Sequence, residues 1–374
     1  MTTPTLGLHL PLHYAHGRAV AQAAQERLRA AGRPAVVLDN SVPLLDFLKH
    51  GHHPGFICSL GHVPLAGDAL AELAEQRGLV LVNVSARKDP GRLPSVLHDN
   101  RAIGRMAAEH LAGIGCRSLA FIDIATWFSG QRWQGFLATA EALGLPAECV
   151  TARSATNHLA KLPQPLGILG ATDQTARSHA AKLAQEGLVV PDRAALLGVD
   201  DDPSWCLNQI PELSSVDPDS ATVGRRAADL LLALLAGSPR PTAPIFVPPR
   251  LVVERESTLG AGCADPQLAA ALRHLRCAFA SPLTCDDLAA AARCTRRTLE
   301  RRFQAALGRS PMEELRRVRT AVALSQLRNR NLSLRGIARA SGFGTSGCLS
   351  RAIKAATGCS PEDWRNKTTD LPVT

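Results

Sequence analysis

Two segments near the C-terminus carry arginines at a spacing suited to reading DNA. Two short helices joined by a tight turn are predicted within Thr284–Phe303. On the second of these helices Leu299 and Phe303 share one face, while Arg297 and Arg301 share the opposite face, because positions i and i+4 are neighbours on a helix. An arginine can donate two hydrogen bonds to one guanine in the major groove. The pattern predicts a helix-turn-helix motif whose second helix presents arginines to base edges.

The same arrangement recurs further along the chain, within Ser333–Lys354. Leu349 and Ile353 lie on one face of its predicted second helix, and Gly347 and Arg351 lie on the opposite face. One helix-turn-helix pattern is a weak signal, whereas two in matching register are a specific one. The repeat therefore predicts a unit with two DNA-reading helices.

A long helix is predicted between the two motifs, over Met312–Leu327. It carries Arg316, Arg317 and Arg319, and Arg309 lies in the turn before it. We expect Arg309, Arg316 and Arg319 to contact phosphates or remain on the solvated surface.

The charge of the chain is concentrated at this end. Residues 260–374 contain 19 basic and 9 acidic residues, whereas the preceding residues contain 23 basic and 24 acidic ones. A near-neutral body with a basic end is typical of a nucleic-acid-binding module attached to a sensor or an enzyme.

No pattern in the sequence indicates a metal, a cofactor or a catalytic centre. The ten cysteines are scattered without a Cys-x-x-Cys pair, and the cluster of His50, His52 and His53 has no partnering ligand motif. The sequence has no P-loop, no G-x-S-x-G and no H-E-x-x-H. We therefore expect reduced thiols, no metal, no cofactor and no enzymatic activity.

The apolar segments are too short for a membrane helix. No apolar run reaches the ~18 residues that a transmembrane helix needs, and the N-terminal segment lacks the order of a signal peptide. The sequence predicts a cytoplasmic protein with no membrane association.

The first 255 residues alternate apolar strands with helices, which predicts parallel sheets with crossover helices in two α/β lobes. The predicted strands are Leu6–Leu10, Ala35–Leu38, Gly55–Ser59, Leu79–Asn83, Leu119–Asp123, Leu166–Gly170 and Ala194–Val199, followed by a last pair, Ile245–Val247 and Arg250–Glu254. Ligands of such sheets bind beyond the carboxyl ends of the strands.

These patterns divide the chain into a two-lobed sensor and an all-α domain with two helix-turn-helix motifs. The expected bounds are a sensor over 1–256, a linker over 257–266, a DNA-binding domain over 267–367 and a tail over 368–374. Within the sensor, lobe 1 is expected at about 1–115 plus 217–237, and lobe 2 at about 116–216 plus 245–256.

The C-terminal segment, about Leu268–Lys367, resembles the AraC family of transcription regulators. The residues that match the family signature are Ile337, Ala338, Gly342, Phe343, Ser346, Arg351, Lys354, Gly358, Pro361 and Arg365. Three aromatic positions of the signature hold Leu349, Ile353 and Trp364, which remain apolar and preserve packing.

This resemblance implies that each motif places its second helix in a major groove and that the long helix sets their spacing. The DNA-contacting residues that it implies are Arg296, Arg297, Glu300, Arg301, Ser346, Gly347, Ser350, Arg351 and Lys354. Gly347 has no side chain, so we expect the second motif to contribute less to sequence reading.

The sensor segment resembles the LacI-type periplasmic-binding fold. The resemblance rests on R-x-x-G-F at Arg132, A-T-D-Q at Ala171 and G-V-D-D at Gly198. A LacI-like sensor placed before an AraC-type unit is similar to the family of xylose regulators.

The LacI resemblance implies a sugar effector, such as xylose or a related monosaccharide, held between the lobes. Arg132 and Asp200 stand where the family contacts the ligand, and a guanidinium and a carboxylate suit vicinal hydroxyls. Thr172 stands where the family often has asparagine. Trp127 and Phe128 could stack on a sugar face or pack between the lobes, and both readings stay open.

The expected partners are promoter DNA, the effector, RNA polymerase and a second copy of the chain in a homodimer, with activation favoured over repression. Two alternatives compete with this reading. One is a solute-binding transport protein, which would need export. The other is a carbohydrate-acting enzyme that uses the carboxylates of Asp200, Asp201 and Asp202.

Overall fold

The computed structural model describes residues 5–41, 44, 53–62, 65, 67–151, 158–191, 193–207, 210–258, 265–327 and 332–367. His50, His52, most of the expected linker (259–264) and the expected tail (368–374) lie outside these residues. In the described residues two α/β lobes precede an all-helical unit, which confirms the fold class expected from the sequence.

The described elements follow one another from the first lobe to the C-terminal unit. They are β1 (Leu6–Leu10), α1 (Ala15–Ala30), β2 (Ala35–Asp39), β3 (Gly55–Cys58), α2 (Gly67–Gln76), β4 (Val80–Asn83), β5 (Val96–His98), α3 (Asn100–Gly113), β6 (Ser118–Asp123), α4 (Trp127–Ala142), β7 (Ala147–Thr151), β8 (Leu166–Gly170), α5 (Asp173–Gln185), β9 (Ala194–Val199), α6 (Pro203–Cys206), β10 (Ser214–Asp217), α7 (Ser220–Leu235), β11 (Ile245–Val247), β12 (Leu251–Val253), α8 (Pro266–Ala278), α9 (Cys285–Ala291), α10 (Arg296–Leu307), α11 (Pro311–Leu327), α12 (Leu334–Ala340), α13 (Ser346–Thr357) and α14 (Pro361–Lys367).

Lobe 1 is built on a parallel sheet of strand order β2-β1-β3-β4. Every residue of β1 is buried, as expected for a central parallel strand covered on both faces. Helices α1 and α7 cover one face through Val20, Leu28 and Leu231, and α2 covers the other.

Lobe 2 is built on a six-stranded sheet of order β12-β10-β9-β8-β6-β7, in which only β12 is antiparallel. Helices α3 and α4 cover one face and α5 covers the other. Gly104 on α3 and Gly135 on α4 let these two helices touch, because a Cβ at either position would collide with a backbone carbonyl of the facing helix. The pair α3 and α4 therefore moves as one unit.

The described chain passes between the lobes at residue 99, at 217–219 and at 248–250. This corrects two sequence expectations. Helix α3 belongs to lobe 2, since Ile103 and Leu111 lie in the lobe 2 core, so lobe 1 does not run to residue 115. Strand β11 lies in the segment 245–256 that the sequence places in lobe 2, but it pairs with β5 beside lobe 1, whereas β12 pairs with β10 in lobe 2.

The sensor also extends two residues beyond its expected end. Ser257 and Thr258 are buried against lobe 2, where the Ser257 hydroxyl donates to the carbonyl of Leu196 at 2.6 Å. The expected linker therefore begins after Thr258. No helix in the described part of the chain is both long and apolar enough to cross a membrane.

The helical unit consists of two similar halves joined by α11. In each half a short helix (α9 or α12) precedes a longer one (α10 or α13). Thr295 caps α10 and Thr345 caps α13, each accepting from a backbone N–H, and both helices end at a glycine with positive φ, Gly308 and Gly358. Equal lengths and matching caps show that the two halves repeat one helix-turn-helix plan.

Candidate functional site

A cavity of about 410 Å³ lies between the two lobes, at the carboxyl ends of their strands. Its volume falls within the range of roughly 300–1,000 Å³ of small-molecule sites. Polar and aromatic side chains from both lobes line it, including Tyr14, His16, Ser59, Ser85, Arg87 and His98 from lobe 1, Asn100 at the crossing, and Phe128, Arg132, Thr172, Asp173, Asp200, Asp202 and Trp205 from lobe 2.

Arg132 is the buried cation of this cavity, with only 4% of its surface exposed. Its Nε donates to Oδ1 of Asn100 at 2.9 Å, its Nη1 donates to the carbonyl of Ala171, and its guanidinium lies 4.7 Å from the ring centroid of Phe128. Burial lowers its pKa, an effect that the charges of Asp200 and Asp173 oppose. The described residues give no acceptor to Nη2, which remains available to a ligand.

Asp200 lies directly after β9, in a backbone conformation that is unusual for a residue with a side chain. Its φ is 113°, and Asp201 follows with φ of 50°. Such strain is concentrated at ligand sites. Burial raises the pKa of Asp200 to about 6, while the positive charge of Arg132 acts to lower it. Asp200 is thus a largely ionised acceptor at neutral pH, with a proton equilibrium close to it.

Asp173 lies beside Asp200 but points its oxygens into the protein. It accepts from the hydroxyl of Ser215 at 2.6 Å and from the backbone N–H of Asp202 at 2.8 Å. Burial, followed by the charge of Asp200, raises the pKa of Asp173 well above its usual value, although these hydrogen bonds oppose the rise. Through these two hydrogen bonds Asp173 fixes the position of the cavity wall next to Asp200.

Thr172 and Phe128 also line the cavity, each at the start of a helix. The Thr172 hydroxyl caps α5 by accepting from the backbone N–H of Thr175 at 3.1 Å. Trp127 is not among the described residues that line the cavity. Phe128 lines the cavity, whereas the backbone N–H of Trp127 donates to the carbonyl of Arg87 in lobe 1 at 3.3 Å.

The sequence reasoning missed several residues of the cavity. His16 and His98 are neutral, because burial, reinforced by nearby positive charge, lowers their pKa to about 4 and about 3. Asn100 orients Arg132, whereas its neighbour Asp99 caps α3 by accepting from Ala102. Asn100 is adjacent to a capping signal that could have marked the crossing, but the histidines come from distant segments that no local pattern links.

One ion pair joins the lobes across the opening of this cavity. Arg18 on α1 lies 3.7 Å from Asp202, whose side chain also caps α6 by accepting from Ser204. Nothing in the described part of the chain suggests a metal centre, since no group of three or more His, Cys, Asp or Glu side chains is placed to bind one.

In the helical unit, the second helices present arginines outward. Leu299 and Phe303 on α10, and Leu349 and Ile353 on α13, are fully buried in two separate cores. Arg297 and Arg301 on α10, and Gly347 and Arg351 on α13, lie on the opposite faces and are exposed. The other residues expected to contact DNA are Arg296, Ser346 and Lys354, which are exposed, and Glu300 and Ser350, which are half-buried. Glu300 pairs with Arg296 at 2.9 Å, one helical turn away.

Two of the three arginines expected to contact phosphates or stay solvated, Arg309 and Arg319, are instead held by protein groups. Arg309 pairs with Glu314 at 2.6 Å, so this side chain is held by protein and is not a free phosphate contact. Arg319 donates to the carbonyls of Phe279 and Ser281, which fixes α11 to the first half of the unit. Of the three, only Arg316 stays exposed.

Arg317 on α11 reaches across to the sensor. Its guanidinium binds the carboxylate of Glu254, which follows β12 in lobe 2, and also binds Glu314 on its own helix at 2.7 Å. His110 near the end of α3 lies 3.8 Å from Glu254. We call Glu254, Arg309, Glu314 and Arg317 the interdomain ion cluster.

This geometry defines a DNA-binding transcription regulator that carries a small-molecule sensor. Comparison with known proteins agrees: residues 108–258 match a family described as periplasmic binding protein-like domain, and residues 288–367 match a helix-turn-helix domain. The chain thus joins a periplasmic binding protein-like segment to a helix-turn-helix segment that is similar to AraC-like regulators.

Among its relatives, the chain is 26% identical to the xylose operon regulatory protein of Escherichia coli K12, over 73% of this chain and 74% of that protein. It is 42% identical to a putative AraC-like transcription regulator of Streptomyces lividans, over 29% of this chain and 36% of that one. Among solved structures, a xylose-binding transcription activator has the same fold over 98% of this chain and 99% of its own, with a TM-score of 0.61 and 21% identity. A LacI family regulator of Mycobacterium smegmatis matches 68% of this chain and 99% of its own, with a TM-score of 0.57 and 23% identity.

Proposed function

We propose that this protein is a transcription activator whose effector is a monosaccharide, with pentoses such as xylose as the first candidates. The observation that carries the proposal is that Arg132 and Asp200 both line the cavity between the lobes and lie close enough for their charges to interact. A guanidinium that donates and a carboxylate that accepts can bind two neighbouring hydroxyls of one sugar. The names of the relatives support the same class of effector.

The rest of the cavity suits a polyol with one apolar face. Phe128, Tyr14 and Trp205 supply aromatic surface, and the neutral rings of His16 and His98 can each accept or donate a hydrogen bond. Arg87 adds a cation on the lobe 1 side, so sugar acids belong in any screen beside neutral sugars.

The experiment is a thermal-shift screen of the full-length chain against pentoses, hexoses and the matching sugar acids. A specific ligand raises the melting temperature by mass action, and a hit is then titrated by calorimetry. Incubation of the hit with the protein, followed by analysis for products, distinguishes a sensor from an enzyme. A screen with no shift, or a sugar that is consumed, would refute the proposal.

On the DNA side we propose a homodimer that binds promoter DNA through α10 and α13 and contacts RNA polymerase. The exposed arginines of both helices and the positive charge of the C-terminal third support DNA binding. Sedimentation with and without the sugar hit measures whether the protein is a dimer. Transcription in a purified system, from the promoter region next to the gene that encodes the protein, tests activation. A monomeric complex, or sugar that lowers transcription, would contradict this part.

A further inference from the structure

The sensor and the DNA-binding unit meet at the interdomain ion cluster, which is largely shielded from water. Only 13% of the Glu254 side chain and 26% of the Arg317 side chain are exposed. Arg317 binds both oxygens of Glu254 and also Glu314, which in turn binds Arg309. Glu254 and Glu314 raise the pKa of Arg317 although burial acts to lower it, so the guanidinium is a permanent cation held by two carboxylates.

Glu254 and Arg317 each belong to an element whose movement would change how the DNA-binding unit is placed relative to the sensor. Glu254 comes directly after β12, at the edge of the lobe 2 sheet. Arg317 lies in the middle of α11, which joins the two helix-turn-helix halves and sets their spacing. A displacement of lobe 2 relative to α11 therefore changes the orientation of both DNA-reading helices, as one unit, relative to the sensor.

Helix α3 connects the effector cavity with this cluster. It begins at Asn100, which accepts from the buried Arg132, and near its other end His110 lies 3.8 Å from Glu254. Ten residues of helix span about 15 Å at 1.5 Å per residue. Because α3 is held against α4 at Gly104 and Gly135, a shift at Arg132 is carried along a rigid pair of helices.

We propose that the Glu254–Arg317 pair docks the DNA-binding unit onto lobe 2 and is the contact through which ligand binding at Arg132 reaches α11. The coupling half of this inference rests on the proposed sugar-sensing function, whereas the docking half does not. Arg317 is a positioning residue here, since it acts on the DNA-reading helices through the placement of α11.

The docking half is tested on the full-length chain by hydrogen exchange followed by mass spectrometry. Glu254→Gln leaves the DNA-binding unit unaltered in sequence, yet it should increase exchange at least tenfold in peptides of the first turns of α11. Arg317→Gln should also increase exchange in the α11 peptides, and it should increase exchange in the peptide that contains the C-terminal end of α3. The double variant should be no worse than Arg317→Gln, because it leaves no unpaired charge, and Arg317→Lys should restore part of the protection.

Two matched controls separate docking from general loss of stability. Arg255→Gln breaks an ion pair with Asp201 that lies within lobe 2 and is at least as well buried, with side chains 14% and 13% exposed. Arg309→Gln removes one partner of Glu314 without touching the sensor. Neither should raise exchange in the α3 and α11 peptides together. If Glu254→Gln leaves exchange in α11 unchanged, the docking role is refuted.

The coupling half uses the sugar that gives the largest thermal shift, with D-xylose as the first probe. Sugar should change exchange of α11 in the wild type, and this change should vanish in Glu254→Gln while the sugar dissociation constant stays within threefold. An equal change of α11 in both proteins would overturn the coupling role. If no sugar binds the wild type, the proposed function fails, and coupling fails with it, while the docking role is still judged by exchange without sugar.

Discussion

Replacing Asp200 by asparagine should stabilise the protein and weaken effector binding at the same time. Burial raises the pKa of this carboxyl from 3.8 to about 6. Its ionisation in the folded state at pH 7 therefore costs about 3 kcal/mol, at 1.36 kcal/mol per pKa unit. Asp200→Asn removes that cost and should raise the free energy of unfolding of the sensor by up to that amount.

The direction of the pH dependence of stability follows from proton binding, because the folded chain holds the proton of Asp200 more tightly than the unfolded chain does. Between about pH 4 and pH 6 the folded chain keeps a proton on Asp200 that the unfolded chain has lost, so wild-type stability falls as pH rises through this window. Above pH 6 this contribution is constant. In Asp200→Asn the fall should be smaller by the same ~3 kcal/mol, because an amide does not titrate.

The affinity for the effector should change in the opposite direction to stability, so that Asp200→Asn binds the effector more weakly. An ionised Asp200 accepts from a sugar hydroxyl, and loss of a hydrogen bond to a charged group costs ~1.5–3 kcal/mol, or roughly tenfold to hundredfold in affinity. Calorimetry should show wild-type affinity rising between pH 5 and pH 7, with little change in the variant. Asp201→Asn is the control, since it breaks the pair with Arg255 outside the cavity and should lower stability without weakening binding.

Urea unfolding of both variants at several pH values measures the change in stability, and calorimetry measures the change in effector affinity. An Asp200→Asn protein that is less stable than wild type at pH 7, or that binds the effector with undiminished affinity, would refute the assignment of Asp200 as a buried acceptor for the ligand.

Three further predictions concern single residues. Arg301→Ala should weaken binding to a cognate duplex by ~1–3 kcal/mol of free energy and relax the sequence preference at one base pair. If binding titrations show equal weakening on cognate and scrambled duplexes, Arg301 contacts the DNA backbone instead. Arg132→Gln should abolish most effector binding in calorimetry and also cost ~1–3 kcal/mol of stability, because the carbonyl of Ala171 loses its buried donor; a fully stable variant would contradict the structural role. Thr284→Ala should lower the free energy of unfolding by ~0.5–2 kcal/mol through loss of the capping box with Asp287, and Thr284→Ser should retain it in thermal melts followed by circular dichroism.

The helical unit could be predicted from sequence in some detail because its signals are local. The spacing of Leu299 and Phe303 marked the buried face of α10, and that of Leu349 and Ile353 marked the buried face of α13. Capping residues fix helix ends through contacts three residues away, so they are readable in one sequence. The outward placement of Arg301 follows from the same register.

Features that depend on distant segments could not be predicted in this way. Helix α3 was expected in lobe 1 because chain order places it before the lobe 2 strands, but its apolar face packs on lobe 2. The sequence shows Arg309 only as a cation in a turn, whereas in the folded chain its guanidinium lies 2.6 Å from Glu314. His16 of lobe 1 comes near Arg132 only because the two lobes fold against each other, and Asn100 reaches Arg132 because α3 packs on α4. No periodicity along the chain encodes such contacts.

The ion pair between Arg18 and Asp202 has a consequence for the background activity of the regulated gene. It is made of protein atoms only, so it favours the arrangement in which the lobes meet by the same amount for every ligand. A partly exposed pair of this kind contributes ~0–1 kcal/mol, which shifts the ratio of closed to open molecules by up to about fivefold. If closure of the lobes on the effector produces the proposed activation, a stronger pair raises the fraction of closed molecules before any effector binds and so narrows the interval between basal and induced transcription. The dynamic range of such a regulator is set partly by this contact, which measurements of effector affinity alone do not separate from the ligand's own contribution.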